Sequence, residues 1–109
     1  MSESQFLQAV EATLDRLESA IEAAGLDADC ARTALILTIE FEPGAKIVVN
    51  AQAPMRQLWL AWRGGAQHFA ADGNRWMDTR TGEEFFAAVS RAASALTGTP
   101  VVLSSGEPG

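Results

Sequence analysis

Apolar residues recur along the chain in two rhythms, and the change from one to the other lays out the elements. Leu7, Val10, Leu14, Leu17 and Ile21 follow at alternating steps of three and four. That spacing builds one apolar face of a helix over residues 4–24. Ser2 or Ser4 is placed to cap its start, and Gly25 to stop it. From there the period drops to two. A short run, 27–32, precedes 34–41, where Leu35, Leu37, Ile39 and Phe41 alternate with Ile36, Thr38 and Glu40. The turn Glu42-Pro43-Gly44-Ala45 returns the chain as 46–50, the second strand of a hairpin. Pro54 separates it from 57–63, in which Leu58, Leu60 and Trp62 share a face. Gly64-Gly65 and Asp72-Gly73-Asn74 bracket a strand at 67–70 and lead into another at 75–78. A second helical period, Phe85, Phe86, Val89, Ala93 and Leu96, predicts a helix over about 82–97. Thr81 or Thr79 is expected to cap it, and Gly98 and Pro100 end it. Val101-Val102-Leu103 is expected to pack back on the domain, and 104–109 to form a loose tail.

Helix, about six short strands, helix: the economical arrangement is an α+β two-layer sandwich. An antiparallel sheet is covered on one face by the N- and C-terminal helices. At 109 residues this is one domain, 1–109, and it buries enough surface to fold without a metal or disulfide. Cys30 is the single cysteine, which fits a reducing compartment, and it reads as a small buried residue. The N-terminus has no basic stretch ahead of an apolar one, and no apolar run reaches the ~20 residues of a membrane span. The expected setting is the cytoplasm, and the expected state a monomer.

Charge changes the picture more than composition does. Residues 1–29 hold seven acids (Glu3, Glu11, Asp15, Glu18, Glu22, Asp27, Asp29) against Arg16, a balance of −6. The other 80 residues hold seven acids and seven bases, so the whole net charge of −6 sits in the first quarter of the chain. Nucleic acid is excluded as a partner, because its binding rests on basic contacts to phosphate. At about 100° per residue Glu11, Asp15, Glu18 and Glu22 fall in one sector of the first helix, flanking its apolar face. Asp27 and Asp29, alternating with Ala28, point to a common side and are expected to extend the ridge. Charge runs on helices are ordinarily solvated faces. Here, however, like charges repeat at 11/15 and 18/22, each pair costing about 0.2–0.5 kcal/mol. Glu22 also lies at the helix end where the dipole disfavours an acid. A stripe kept at that cost suits a positively charged ligand. Carboxylates without histidine or thiolate fit hard cations, and a basic protein surface fits equally well.

In Gln57-Leu58-Trp59-Leu60-Ala61-Trp62-Arg63, Trp59 shares its phase with Gln57, Ala61 and Arg63. The sheet face without helices would therefore carry Trp59 beside Lys46, Asn50 and Gln52, as an interaction anchor. His68, the one histidine, has no neighbouring Ser or Cys nucleophile and reads as structural or surface. No phosphate loop, zinc spacing or dinucleotide fingerprint is present.

The stretch Asn50-Ala51-Gln52-Ala53-Pro54-Met55-Arg56-Gln57-Leu58-Trp59-Leu60-Ala61 resembles the signature of the frataxin family in its bacterial form. Asp27-Ala28-Asp29-Cys30, Leu37-Thr38-Ile39-Glu40-Phe41, His68-Phe69, Trp76 and Gly82-Glu83-Glu84-Phe85 agree in order and spacing, so the likeness runs from residue 6 to about 103. The resemblance implies an α-β-sheet-α sandwich that binds ferrous and ferric iron weakly on an acidic ridge of the first helix and strand. It implies a non-enzymatic role in iron–sulfur cluster assembly, regulating the cysteine desulfurase and scaffold protein and delivering iron. Carried over by position, Glu18, Glu22, Asp27 and Asp29 match ridge acids, with Glu11 and Asp15 as neighbours. Glu18 and Glu22 double as partner contacts beside Asn50, Gln52, Gln57 and Trp59 on the sheet. Departures thin the ridge: Ser19, Ala23 and Gly25-Leu26 stand where further acids often occur. Ala51 replaces a common basic residue, Trp62 a small polar one, and the Gly-Gly pair lies one position early. Two other readings remain: a ferroxidase storing iron, and an acidic interaction module without a physiological metal. Buried di-iron chemistry needs Glu and Glu-x-x-His sets facing inward between helices, which a chain with one histidine lacks.

Overall fold

Ser2 opens the first helix through a capping box. Its hydroxyl accepts from the Gln5 amide (3.1 Å), and the Gln5 side chain accepts from the Ser2 amide (2.9 Å). In this computed structural model, which describes residues 1–105, helix α1 spans Glu3–Ala23. It ends where Gly25 takes φ +67°, letting the amides of Gly25 and Leu26 close back on the carbonyls of Glu22 and Ile21. The buried face is wider than the periodicity predicts. Phe6 and Thr13 join Val10, Leu14, Leu17 and Ile21, while Leu7 is half-buried at the margin.

Strands β1 (Ala28–Arg32), β2 (Ile36–Phe41), β3 (Ala45–Gln52), β4 (Gln57–Trp62), β5 (Gly65–Asp72) and β6 (Arg75–Asp78) form one antiparallel sheet in sequence order. This is the expected α+β sandwich, with β1 and β6 as its edges. β2 starts later than predicted because the Thr33 amide donates to the Ile36 carbonyl (2.9 Å), tightening 33–36 into a turn. A 3₁₀ turn, Ala53–Met55, joins β3 to β4 and leaves Arg56 at φ +53°.

Alternation assigns the two faces. Leu37, Ile39, Phe41, Ile47, Val49, Ala51, Leu58, Leu60, Phe69 and Trp76 are buried beneath the helices. Ala51 therefore points into the core and not onto the open face. Trp76 also reaches α1: its Nε1–H donates to Thr13 Oγ1 at 2.8 Å, and its ring meets Phe6 edge-on at 5.9 Å.

Helix α2 spans Phe85–Thr97, later than the predicted start at 82. The cap is Glu84, not Thr81 or Thr79: its carboxylate accepts from the Phe86 (2.7 Å) and Ala87 (3.2 Å) amides. The Arg80 and Thr81 amides are instead held by Asp78 Oδ1 at 2.6 and 2.9 Å. Of the segment 101–103, Val101 and Leu103 pack back as expected, by a device the apolar pattern hides, while Val102 between them is exposed. Ser94 and Ser90, one turn apart on α2, accept from the Val101 and Leu103 amides, each at 2.8 Å, and both apolar side chains are buried. The expected loose tail falls mainly on 106–109, outside the described residues; Ser104 and Ser105 each have a noncovalent partner.

Candidate functional site

The acids of α1 lie on the flank that faces β1. Glu11, Asp15 and Glu22 are exposed, and Glu18 is half-buried. Their charge is not all free. On β1, residues 28, 30 and 32 pair with Phe41, Ile39 and Leu37, whose side chains are buried on the helix side. Arg32 consequently rises towards α1. Its Nη1 lies 2.5 Å from Asp15 Oδ1 and 3.6 Å from Glu18 Oε1, and its Nη2 donates to the Glu11 carbonyl at 3.3 Å. The hydrogen bond to Asp15 holds the guanidinium proton more firmly still, working against partial desolvation. Charge counting along the chain placed Arg32 in the neutral remainder; the fold returns it to the middle of the acidic stripe.

Asp29 pairs with Glu40 across the β1–β2 ladder, so both face away from the helices. Asp27, Asp29, Glu40 and Glu42 line one shallow concavity closed by the turn 41–44. The six acids expected to form one ridge thus divide into two clusters on either side of edge strand β1. Glu40 and Glu42 belong to the second and were not singled out from the sequence, although the alternation of Glu40 with Ile39 and Phe41 was visible there. Two carboxylates directly opposite each other repel, and Glu40 has Lys46 on its other side in the β2–β3 register. None of Asp27, Asp29, Glu40 and Glu42 is in an ion pair among the described residues.

Cys30 joins the clusters. The expectation of a buried cysteine is corrected: it is exposed, because β1 is an edge strand. Desolvation, then the Glu18 and Asp29 carboxylates, push its thiol pKa up, the opposite of what activates a nucleophile. Carboxylate oxygens fit a hard cation, but among the described residues no three His, Cys, Asp or Glu side chains converge to hold one. The surface can attract and loosely ligate a cation; it does not wrap one.

The open sheet face carries the second expected surface. Trp59 pairs with Asn50 on one side and His68 on the other, and Gln52 pairs with Gln57. The Trp59 and His68 rings stack at 4.2 Å with their planes 7° apart, while Trp59 Nε1 donates to Gln57 Oε1 at 2.8 Å. The Trp59 side chain is half-buried, and these two contacts fix its indole in place. Asn50, Gln52, Gln57 and Trp59 are therefore neighbours. Lys46 is not among them, because it lies at the far end of β3 opposite Glu40. Trp62 turns to the helix side and folds over Gly64, where a Cβ would strike its ring.

Comparison with known proteins decides the family. Residues 1–99 match the frataxin-like domain. This chain belongs to the frataxin family. The frataxin is 48% identical to the iron-sulfur cluster assembly protein CyaY of Janthinobacterium sp. (strain Marseille), over 94% of this chain and 96% of the relative. It is likewise 48% identical to the same-named protein of Cupriavidus pinatubonensis, over 86% and 88% of the two chains. The solved frataxin of Psychromonas ingrahamii superposes with a TM-score of 0.89 at 32% identity, covering 95% of this chain and 99% of that one. A ferrous-complexed trimeric frataxin of Saccharomyces cerevisiae, at 24% identity and a TM-score of 0.65, covers 91% of this chain and 88% of its own and shares the fold. Among the described residues, no helix of this frataxin is long and apolar enough to cross a membrane.

Proposed function

We propose that this frataxin is an iron-binding, non-enzymatic protein of cytoplasmic iron–sulfur cluster assembly. It docks through its acidic edge and open sheet face on a cysteine desulfurase and scaffold protein, regulating their activity and delivering iron. The observation that carries this reading is the pair of carboxylate clusters flanking β1, with the Trp59–Gln57–Asn50 patch on the same open face as Asp29 and Glu40. Bacterial relatives with that assembly name, matched along nearly their whole length, support it. Glu11, Asp15, Glu18, Glu22, Asp27 and Asp29 supply the oxygen ligands, and Glu40 and Glu42 add to the second cluster.

Iron is cargo here. Exposed carboxylates on rigid elements give few ligands per ion, so binding is weak and other divalent cations compete. The same charges steer a basic partner by complementarity, an effect screened by salt over roughly 8–10 Å. Trp59 supplies the anchor: an indole already held by His68 and Gln57 costs little entropy on docking. The protein acts as a monomer in this scheme. The ferroxidase reading has no support in the side chains, since His68 is stacked on Trp59 in β4–β5 and not beside the acids.

The test is a desulfurase and cluster-assembly assay with wild type, Glu18→Lys/Glu22→Lys, and Trp59→Ala. Charge reversal is expected to abolish complex formation, Trp59→Ala to weaken it, and added salt to weaken the wild-type complex. Unchanged binding by the charge-reversed protein overturns the reading.

A further inference from the structure

We infer that Arg32 is a built-in counter-cation that withholds Asp15 and Glu18 from outside cations and so sets the cation capacity of the α1 ridge. The inference rests on the proposed cation-binding role of that ridge and adds what limits it. The place where an external ion would meet Asp15 and Glu18 already holds a cation belonging to the chain. The guanidinium is within 2.5 Å of Asp15 Oδ1 and 3.6 Å of Glu18 Oε1, and its third contact, to the Glu11 carbonyl, fixes its position. The side chain is 23% exposed, against 63% for Asp15 and 35% for Glu18, so it sits beneath the carboxylates it neutralises. It is anchored by the ladder: Arg32 pairs with Leu37 at the end of β1. A guanidinium does not deprotonate in the physiological range, so pH does not release this competitor. Only displacement does, and a divalent ion arriving there meets both an occupied oxygen and a like charge. Glu22 forms no ion pair with Arg32.

The experiment titrates the full chain with Mn²⁺, a hard, oxygen-preferring paramagnetic probe, and separately with Fe²⁺ under anaerobic conditions, reading NMR line broadening residue by residue. Arg32→Gln is expected to broaden Asp15 and Glu18 at roughly tenfold lower Mn²⁺ than wild type, the factor that removing one nearby positive charge predicts. Arg32→Leu, which retains an apolar stem against the strand, repeats the comparison should glutamine loosen the edge. The inference is overturned if both variants match wild type within twofold at Asp15 and Glu18. If the variants gain Mn²⁺ there while Fe²⁺ broadens no ridge carboxylate of the wild type, the counter-cation role stands and the iron-binding reading falls. If wild type takes up Fe²⁺ at Asp27, Asp29 and Glu40 and the variants gain nothing at Asp15 and Glu18, the iron reading stands and the role of Arg32 falls.

Discussion

Thr13→Val isolates the bond that ties the acid-bearing helix to the far edge of the sheet. Thr13 Oγ1 accepts from Trp76 Nε1 at 2.8 Å and donates to the Ala9 carbonyl at 2.8 Å. Both residues are nearly fully buried, at 3% and 4% exposure. Valine has the shape of threonine, so no cavity opens and the cost is chemical. The Ala9 carbonyl keeps its place in the helix ladder and loses little. The indole N–H loses its acceptor in a site closed to water, which costs about 1–3 kcal/mol. For a domain of this size that corresponds to a fall in melting temperature of roughly 4–12 °C. Urea unfolding measures it directly, and the Trp76→Phe background identifies the cause. With the donor gone, Thr13→Val should cost about 1 kcal/mol less than it does beside Trp76. Additive single mutants, or a Thr13→Val cost below about 0.5 kcal/mol, would refute the assignment.

Two further outcomes follow from the turn region and the β4–β5 hairpin. Burial alone would raise the Asp78 carboxyl, but hydrogen bonds from the Thr81 and Arg80 amides and the Gln67 side chain overcome it and hold the pKa below its usual range. Arg91 does the same for Glu83, against desolvation and with help from Gln67. Both folded values are depressed, so their contribution is present above the unfolded range near pH ~4 and is lost as pH falls through the folded values. Urea midpoints should drop below about pH 4.5, and the drop should be shallower in Glu83→Gln; identical slopes would contradict this. Gly64→Ala places a methyl where the Trp62 ring lies, so it should displace the indole and cost on the order of 1 kcal/mol. Near-UV circular dichroism should change, and Trp62→Leu should relieve the cost; an unaltered spectrum counts against the contact.

What the sequence made legible was periodic. The step pattern from Leu7 to Ile21, the alternation from Leu35 to Phe41, and the phase of Trp59 against Leu58 and Leu60 each predicted the observed face. Boundaries set by side chains acting on local amides were not legible. Thr79 and Thr81 are preferred cap residues and Glu84 is not, and it is the capture of the Arg80 and Thr81 amides by Asp78 that leaves Glu84 as the one used. The Ser90–Ser94 clasp on 101–103 is invisible for the same reason, since serines on a helix ordinarily bond their own turn. The division of the acids needed strand register: Asp29 faces Glu40 only once β1 is paired with β2. The placement of Arg32 needed the same register plus the seat of α1 above it.

That register also makes sense of acids on β1 that α1 alone would not require. β1 is an edge strand and offers unpaired backbone groups to any other strand. Adding an identical copy along this edge would bring the cluster of Asp27, Asp29, Glu40 and Glu42 on each chain towards that on the other. Like charges so placed repel, and among the described residues no ion pair relieves them. A basic partner straddling the same edge meets the opposite balance, with the α1 acids on one side and the Asp29–Glu40 cluster on the other. The charges that discourage self-pairing are therefore those that favour a basic surface, and Arg32 offsets only the helix side. Reversing Asp29 should on this logic weaken partner binding, whereas neutralising Arg32 should strengthen it, with opposite signs of effect from residues three positions apart on one strand. A binding measurement at low and high salt decides it: both shifts should shrink together as ionic strength rises, and an effect of Arg32→Gln that persists at high salt would place its role in packing instead of charge.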